Sequence, residues 1–236
     1  MSDKYDRITA SHYWAYRPPL HDKILKYVIS DNEFFADGLD VGCGTGYSAI
    51  ALGKYCSHVY GIEPSESMLE RAIENEKIVY LHGYGDSIPV GDNSIDIVTF
   101  AGSLSYAKSS ALVEELKRVC RKQAFIIAYD FEVLVDDILD RCGINPEKPP
   151  SDYDHQANFS DDSNFTGIVN DKKEINFKAT ASEIAHILLS SSYIYDAFAE
   201  QNISLGVFSA LVNELKQLEY DLKASIYFSK YQFSCD

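Results

Sequence analysis

The stretch Leu39-Asp40-Val41-Gly42-Cys43-Gly44-Thr45-Gly46 runs from an apolar segment straight into three alternate glycines, and a helical pattern follows. A strand, a glycine loop and a helix in immediate succession form the opening unit of a doubly wound α/β sheet. Glycine is required where φ is positive or where a ligand must touch the backbone, so the three glycines predict a loop without side-chain walls and a ligand lying flat against it. A dinucleotide fingerprint would place its third glycine at position 47, where this chain has Tyr47, and glycine falls at 46 instead. A Walker-type loop would need lysine after the glycines, and none is there.

Around this loop, short β-branched runs alternate with longer stretches of helical periodicity, as repeated β-α units do. Proline suits a first helical turn, so a first helix is expected from Pro18-Pro19, with Leu20, Ile24, Leu25 and Val28 on one face. Strands are expected at Gly38 to Val41, His58 to Ile62, Ile78 to Leu81, Ile95 to Phe100 and Ala124 to Tyr129. The intervening helices run through Ser48 to Leu52, from an N-cap at Ser65 through Met68, Leu69, Ala72 and Ile73, and through Leu112 to Cys120. Residues 136 to 165 are rich in Asp, Asn and Pro and read as a surface insertion or lid loop. A strand at Ile175 to Ala179, helices over 182–200 and 206–220, and a terminal strand at Ala224 to Phe233 complete the chain.

At 236 residues this is one domain with an insertion: an N-terminal lid and helix over 1–30, a ligand-binding core over 35–130, a cap insertion over 131–200 and a C-terminal helix and strand over 201–236. With 36 acidic against 21 basic residues the net charge is -15, which repels a nucleic-acid backbone. The five cysteines, Cys43, Cys56, Cys120, Cys142 and Cys235, have no C-x-x-C spacing, so neither a disulfide framework nor a metal site is expected. The segment Met1 to Asp6 lacks a basic stretch followed by an apolar one, and no apolar run reaches membrane-spanning length, so a cytoplasmic protein away from membranes is expected.

Glu63 stands at the tip of the second strand, where a carboxylate can accept from both hydroxyls of a ribose. Gly85-Asp86-Ser87 follows the third strand, and an acid there can accept from an exocyclic adenine amine. Each of these pieces alone has a bland alternative, a tight turn or a solvated loop acid. Together, at the carboxyl ends of the first three strands, they point to a nucleoside-containing cofactor.

From about residue 35 to residue 130 the ordered set resembles the class I S-adenosylmethionine-dependent methyltransferases, small-molecule type 11 branch. Four segments carry the similarity: Leu39 to Gly46; Val59-Tyr60-Gly61-Ile62-Glu63-Pro64-Ser65; Gly85 to Val90 with Asp92 to Val98; and Glu115 to Cys120. Upstream, Tyr13-Trp14-Ala15-Tyr16-Arg17-Pro18 is similar to a segment of trans-aconitate-methyltransferase-like enzymes. Where the branch has a Pro-Gly-Gly turn before the fifth strand, this chain has Arg121-Lys122-Gln123.

The resemblance implies a mostly parallel, doubly wound, seven-stranded sheet with a helical cap, and S-adenosylmethionine as cofactor. It implies that Asp40 and the Gly42 backbone hold the methionine portion, Glu63 the ribose and Asp86 the adenine. Main-chain groups near Ala101 to Ser103 complete the amino-acid pocket, with Gly44, Gly46, Pro64 and Ser87 as further contacts. Two readings stand for the upstream segment: Arg17 pairs with a carboxylate of cofactor or substrate and Tyr13 donates its hydroxyl, or both pack the lid.

The expected reaction moves a methyl group to a small-molecule acceptor. A carboxylate acceptor would need no base; an amine or phenol would, and the candidates are Tyr106, Tyr129 and His155, with Asp130 beside them. The aromatics Tyr153, Phe159, Phe165, Tyr193 and Tyr195 face either the acceptor or a core, since periodicity does not separate the two. The alternative function is a cofactor-binding module that acts through a protein partner without turnover.

Overall fold

The computed structural model describes residues 9, 11–201 and 206–233. The segment Met1 to Asp6 and Cys235 lie outside them. Seven strands form one sheet in the order β3-β2-β1-β4-β5-β7-β6: β1 Phe35–Val41, β2 Cys56–Glu63, β3 Ile78–His82, β4 Ile95–Ala101, β5 Cys120–Leu134, β6 Phe165–Thr180 and β7 Glu219–Phe233. The β2-β1, β1-β4, β2-β3 and β4-β5 pairs are parallel. The winding direction reverses between β1 and β4, so the crevice for a ligand opens at the carboxyl ends of those two strands.

The chain divides into two compact units. The first comprises residues 19–131, 153–173 and 226–236. Its core takes Leu39 and Val41 from β1, Val98 and Phe100 from β4, Ile126 and Ala128 from β5, and Tyr231 and Phe233 from β7. Helix α1 (His21–Val28) buries Ile24, Leu25 and Val28, with Leu20 at its N-cap, as the i, i+4, i+8 spacing requires. Helix α2 (Tyr47–Leu52) leaves the glycine loop directly. Phe159 and Phe165 stack with ring centroids 4.3 Å apart and are fully buried or nearly so, which makes them core of this unit.

At the amino ends of the strands the Arg121 guanidinium bridges Asp96 (2.7 Å) and Asp37 (2.9 Å), while Asp96 also accepts from the Ala36 and Asp37 amides. Gln123, where the related turn carries glycine, adopts a left-handed φ of 64°. A register shift between Ile95 and Ile97 lets β5 begin at Cys120 and continue through this turn.

The helix expected from Ser65 through Ile73 is one turn, α3 (Glu66–Leu69), with no buried residue. Its backbone is drawn off: the Ile73 amide donates to the Thr45 carbonyl (3.0 Å) and the Ile73 carbonyl accepts from the Tyr80 hydroxyl (2.9 Å). Both Ile73 groups are thus spent on the glycine loop and β3 rather than on a helical ladder, a tertiary override of local pattern. After β4 come α4 (Leu104–Ala107) and α5 (Ser110–Val119), the latter capped by Ser109 and burying Leu112, Val113, Leu116 and Val119.

The second unit comprises residues 1–18, 132–152 and 174–225. It holds α6 (Asp136–Arg141), α7 (Ala181–Leu189), α8 (Ser192–Gln201) and α9 (Val207–Glu214). The helix expected over 182–200 is broken at Ser190–Ser191, and that expected over 206–220 stops at Glu214, before β7. Thr180 and Glu183 form a reciprocal capping box that starts α7 cleanly. Residues 136–141, expected as loop, are helical because Ile138 and Leu139 are buried in this unit.

Candidate functional site

The glycine loop is anchored from below. Asp40 is fully buried, and its carboxylate accepts from Ser48 Oγ (2.5 Å) and from Thr99 Oγ1 (2.7 Å), the residue opposite it on β4. Burial pushes the Asp40 carboxyl up to about 6, against the two hydroxyls, which pull it down. The two hydrogen bonds tie the start of the glycine loop to α2 and β4.

The Gly42 and Cys43 amides both donate to the Ile62 carbonyl at the end of β2 (2.8 and 3.0 Å). The three glycines then differ. A Cβ on Gly42 would lie 2.5 Å from the Ser103 Cβ, and one on Gly46 only 2.0 Å from the Tyr80 hydroxyl; one on Gly44 would meet nothing within 4 Å. Ser103 and Tyr80 thus press on the Cβ positions of two of them, and of the three Gly44 alone is open there. Neither partner is adjacent in sequence, and the glycine spacing gave no sign of them.

Glu63 sits at the tip of β2 beside Gly44. Its two carboxylate oxygens accept from the Gly44 amide and the Ser65 amide, each at 3.0 Å, which sets the side chain across the mouth of the loop. Pro64 is exposed next to it, its carbonyl 3.1 Å from His82 Nε2. Asp86 and Ser87 are exposed on a tight turn closed by a Tyr84–Ser87 bridge.

The segment that follows that turn, Ile88 to Asp92, is held by a residue whose role sequence reasoning missed. The Arg118 guanidinium donates to the Ile88 carbonyl (2.7 Å), the Val90 carbonyl (2.8 Å), Asp92 (2.8 Å) and Glu115, while Glu115 accepts from the Ile88 amide (2.7 Å). The spacing of Glu115 and Arg118, one turn apart on α5, was the available signal. On the β4 side, Ala101 ends the strand, Gly102 turns with a φ of 73°, and the Ser103 hydroxyl donates to the Val41 carbonyl. Glu63, Gly44, Asp86 and Ser103 thus belong to the carboxyl ends of β1 to β4, as the sequence order predicted.

The three candidate bases separate sharply. Tyr106 is 80% exposed and leans on Tyr153. Tyr129 is 3% exposed; its hydroxyl lies 3.1 Å from His21 Nδ1, and burial raises its phenol well above the ordinary value. His155 is half-buried and places Nδ1 2.6 Å from Asp130 Oδ2. The Tyr153 hydroxyl lies 2.7 Å from both that oxygen and the Gly102 carbonyl.

Tyr13 and Arg17 lie in the second unit, where the Arg17 guanidinium sits 4.3 Å over the Tyr13 ring. Tyr193 and Tyr195 also lie there, half-buried. Among the described residues no cluster of His, Cys, Asp and Glu is arranged to hold a metal, and no helix is long and apolar enough to cross a membrane.

Comparison with known proteins places this geometry. Residues 39–128 match the type 11 family model described as a methyltransferase domain. A Dictyostelium discoideum protein named as a methyltransferase is 27% identical over 135 residues, 57% of this chain and 51% of that protein. The chain spans about half the length of the curated relatives it matches. Among solved structures, one described as a type II methyltransferase from Anaeromyxobacter dehalogenans superposes with a TM-score of 0.65 at 19% identity, covering 92% of this chain and 97% of that one. One described as a methyltransferase from Bacillus halodurans gives 0.55 at 17% identity, covering 89% of this chain and 97% of that one. This chain shares the fold of these two structures, and the segment that matches the methyltransferase domain, residues 39–128, holds the glycine loop, Glu63, Asp86 and Ser103.

Proposed function

We propose that the first unit binds S-adenosylmethionine over Gly44 and that the protein transfers its methyl group to a small molecule. The observation that carries this reading is the Glu63 carboxylate, fixed by the Gly44 and Ser65 amides beside the open glycine of the loop. The residues present fit the cofactor. Each Glu63 oxygen keeps a second lone pair for a ribose hydroxyl, and the exposed Asp86 can accept from an adenine amine. The space beside Gly44 admits a ligand to the backbone, and the Gly102–Ser103 turn offers main-chain groups to an amino acid.

When bound, the cofactor supplies an electrophilic methyl group on a sulfonium. The chain's part is to position and desolvate the partners, and its acidic balance favours a cation over a polyanionic nucleic acid. A carboxylate acceptor would need this positioning alone; an acceptor that must lose a proton needs a base as well.

Calorimetric titration with S-adenosylmethionine and S-adenosylhomocysteine tests the reading. Saturable binding is expected, weakened about 10- to 100-fold by Glu63→Ala, the scale of lost hydrogen bonds to a charged group. Asp86→Ala is expected to weaken it several-fold without lowering the melting temperature, because Asp86 is exposed on its turn. No binding by the wild-type protein would sink this function and favour a module that acts through a protein partner.

A further inference from the structure

We propose that His155, held by Asp130, is the general base of the methyl transfer, and that the cleft it lines takes an acceptor with a phenolic hydroxyl. The proposal rests on the cofactor reading above and names the acceptor class for it. Four observations within the first unit carry it.

The His155–Asp130 contact fixes a tautomer. A carboxylate oxygen 2.6 Å from Nδ1 accepts, so the neutral ring carries its proton on Nδ1 and its basic lone pair on Nε2. The carboxylate is itself oriented: Oδ1 accepts from the Phe131 amide (2.7 Å), and Oδ2 is also within 2.7 Å of the Tyr153 hydroxyl. The ring plane is set by stacking on Tyr227 (centroids 5.8 Å, 18°) and by the Tyr153 ring edge-on at 4.8 Å. A base oriented by a carboxylate is the arrangement that abstracts a proton and then stabilises the resulting imidazolium.

The dyad also abuts the cofactor side. The Tyr153 hydroxyl reaches the Gly102 carbonyl at 2.7 Å, and a Cβ on Gly102 would come within 3.0 Å of Asp130 Oδ1. Gly102 belongs to the turn after β4 that lies against the glycine loop through Ser103. His155 is therefore linked to the loop that would carry the methyl donor through Asp130 and Tyr153, then Gly102 and Ser103.

Finally, His155 opens onto a cleft of about 340 Å³ lined by Tyr129, Asn158, Asn170, Lys172 and Tyr227 among others. The volume suits a small ring compound, Tyr227 gives an aromatic wall, and the amides and ammonium offer polar anchors for ring substituents. Lys172 holds its Nζ 4.8 Å over the Tyr227 ring, on the same wall. A carboxylate acceptor would have no use for an oriented base, whereas a phenol must give up its proton as its oxygen attacks. The balance closes: an oxygen–carbon bond forms to the methyl group, the carbon–sulfur bond breaks with its electron pair left on sulfur, and the phenolic proton passes to Nε2 of His155 and on to solvent.

The test offers 4-methylphenol and 4-methylbenzoate with methyl-labelled S-adenosylmethionine to the wild-type protein, His155→Gln and Asp130→Asn. Label is expected on the phenol, with kcat about 100-fold lower in His155→Gln and KM little changed. S-adenosylhomocysteine affinity should be the same in all three; its absence in the wild type would fail the cofactor reading instead. Nitrogen NMR should show His155 as the Nδ1–H tautomer in the wild type and not in Asp130→Asn. Label on the benzoate alone, a phenol rate indifferent to His155→Gln, or an Nε2–H tautomer in the wild type overturns the proposal. If neither compound takes label, a shift of the Nε2 resonance when 4-methylphenol is added with S-adenosylhomocysteine supports it, and no shift overturns it.

Discussion

Gly46→Ala is expected to destabilise the protein by about 3 kcal/mol or more, and Gly44→Ala, two residues away in the same loop, by about 1 kcal/mol. Both glycines have positive φ, 96° and 56°, which an alanine adopts at a cost of about 1–2 kcal/mol at worst. The difference is steric. An alanine methyl at 46 would overlap the Tyr80 ring, at 2.0 Å from Oη and 2.7 Å from Cζ, while at 44 it enters open space. Tyr80 is not free to swing aside, because its hydroxyl donates to the Ile73 carbonyl (2.9 Å); burial, pushing its phenol up to about 12, keeps that proton in place.

Thermal unfolding should therefore show Gly46→Ala melting roughly 6–12 °C lower, at about 2–4 °C per kcal/mol for a chain of this size. Combined with Tyr80→Val, which removes the ring and suits a strand, the loss should be smaller than the sum of the two single losses by about 1–3 kcal/mol. Strict additivity would show that Tyr80 is not what Gly46 accommodates. Gly44→Ala separates the roles in the other direction, since its methyl would occupy the space proposed for the cofactor. It should keep most of its stability and lose S-adenosylhomocysteine binding.

The same contrast shows what the sequence could and could not convey. Local order was readable: the strand-glycine-helix unit, Glu63 at a strand tip, Asp86 on a turn and the apolar face of α5 all depend on residues a few positions apart. What presses on the glycines was not, because Tyr80 and Ser103 reach them from β3 and from beyond β4, and no local period records a contact that distant. The helix expected through Ile73 failed for the same reason. Its apolar spacing was genuine, yet both Ile73 backbone groups are captured by the loop and by Tyr80, leaving one turn.

The aromatics of residues 153–165 divide along the same line: Phe159 and Phe165 are core, while Tyr153 joins Asp130 and His155. Their sequence pattern is alike, and only the sheet beneath them assigns their roles. His155 stood out in the sequence as one candidate among three; its pairing with a carboxylate on β5, 25 residues earlier, separates it from Tyr106 and Tyr129.

A second large effect is expected far from the glycine loop, at a buried ion pair that ties β7 to the turn after α1. The Lys230 side chain is 7% exposed, and its Nζ donates to both oxygens of Glu33, at 2.7 and 2.9 Å, while lying 4.3 Å over the Phe125 ring. Removing one member of such a pair strands the other charge away from water, which costs about 3–5 kcal/mol; Glu33, 27% exposed, places this pair at the lower end. Glu33→Ala should thus lower the melting temperature by roughly 6–12 °C. Lys230→Met, which keeps the packing on Phe125 and leaves only a partly exposed carboxylate behind, should cost clearly less.

The pH dependence checks the cause. Burial alone would raise the Glu33 carboxyl, but Lys230 and the Ser30 amide outweigh it and hold the group below its ordinary 4.5. The folded protein then binds this proton less readily than the unfolded chain, so the pair's contribution is fully present above about pH 4.5 and is lost as the pH falls through the folded value. The gap in melting temperature between wild type and Glu33→Ala should accordingly be constant from pH 6 to 8 and close progressively below 4.5. A gap that persists unchanged in acid would mean that Glu33 stabilises the turn by packing or by its bond to the Ser30 amide, and that Lys230 finds its counter-charge elsewhere.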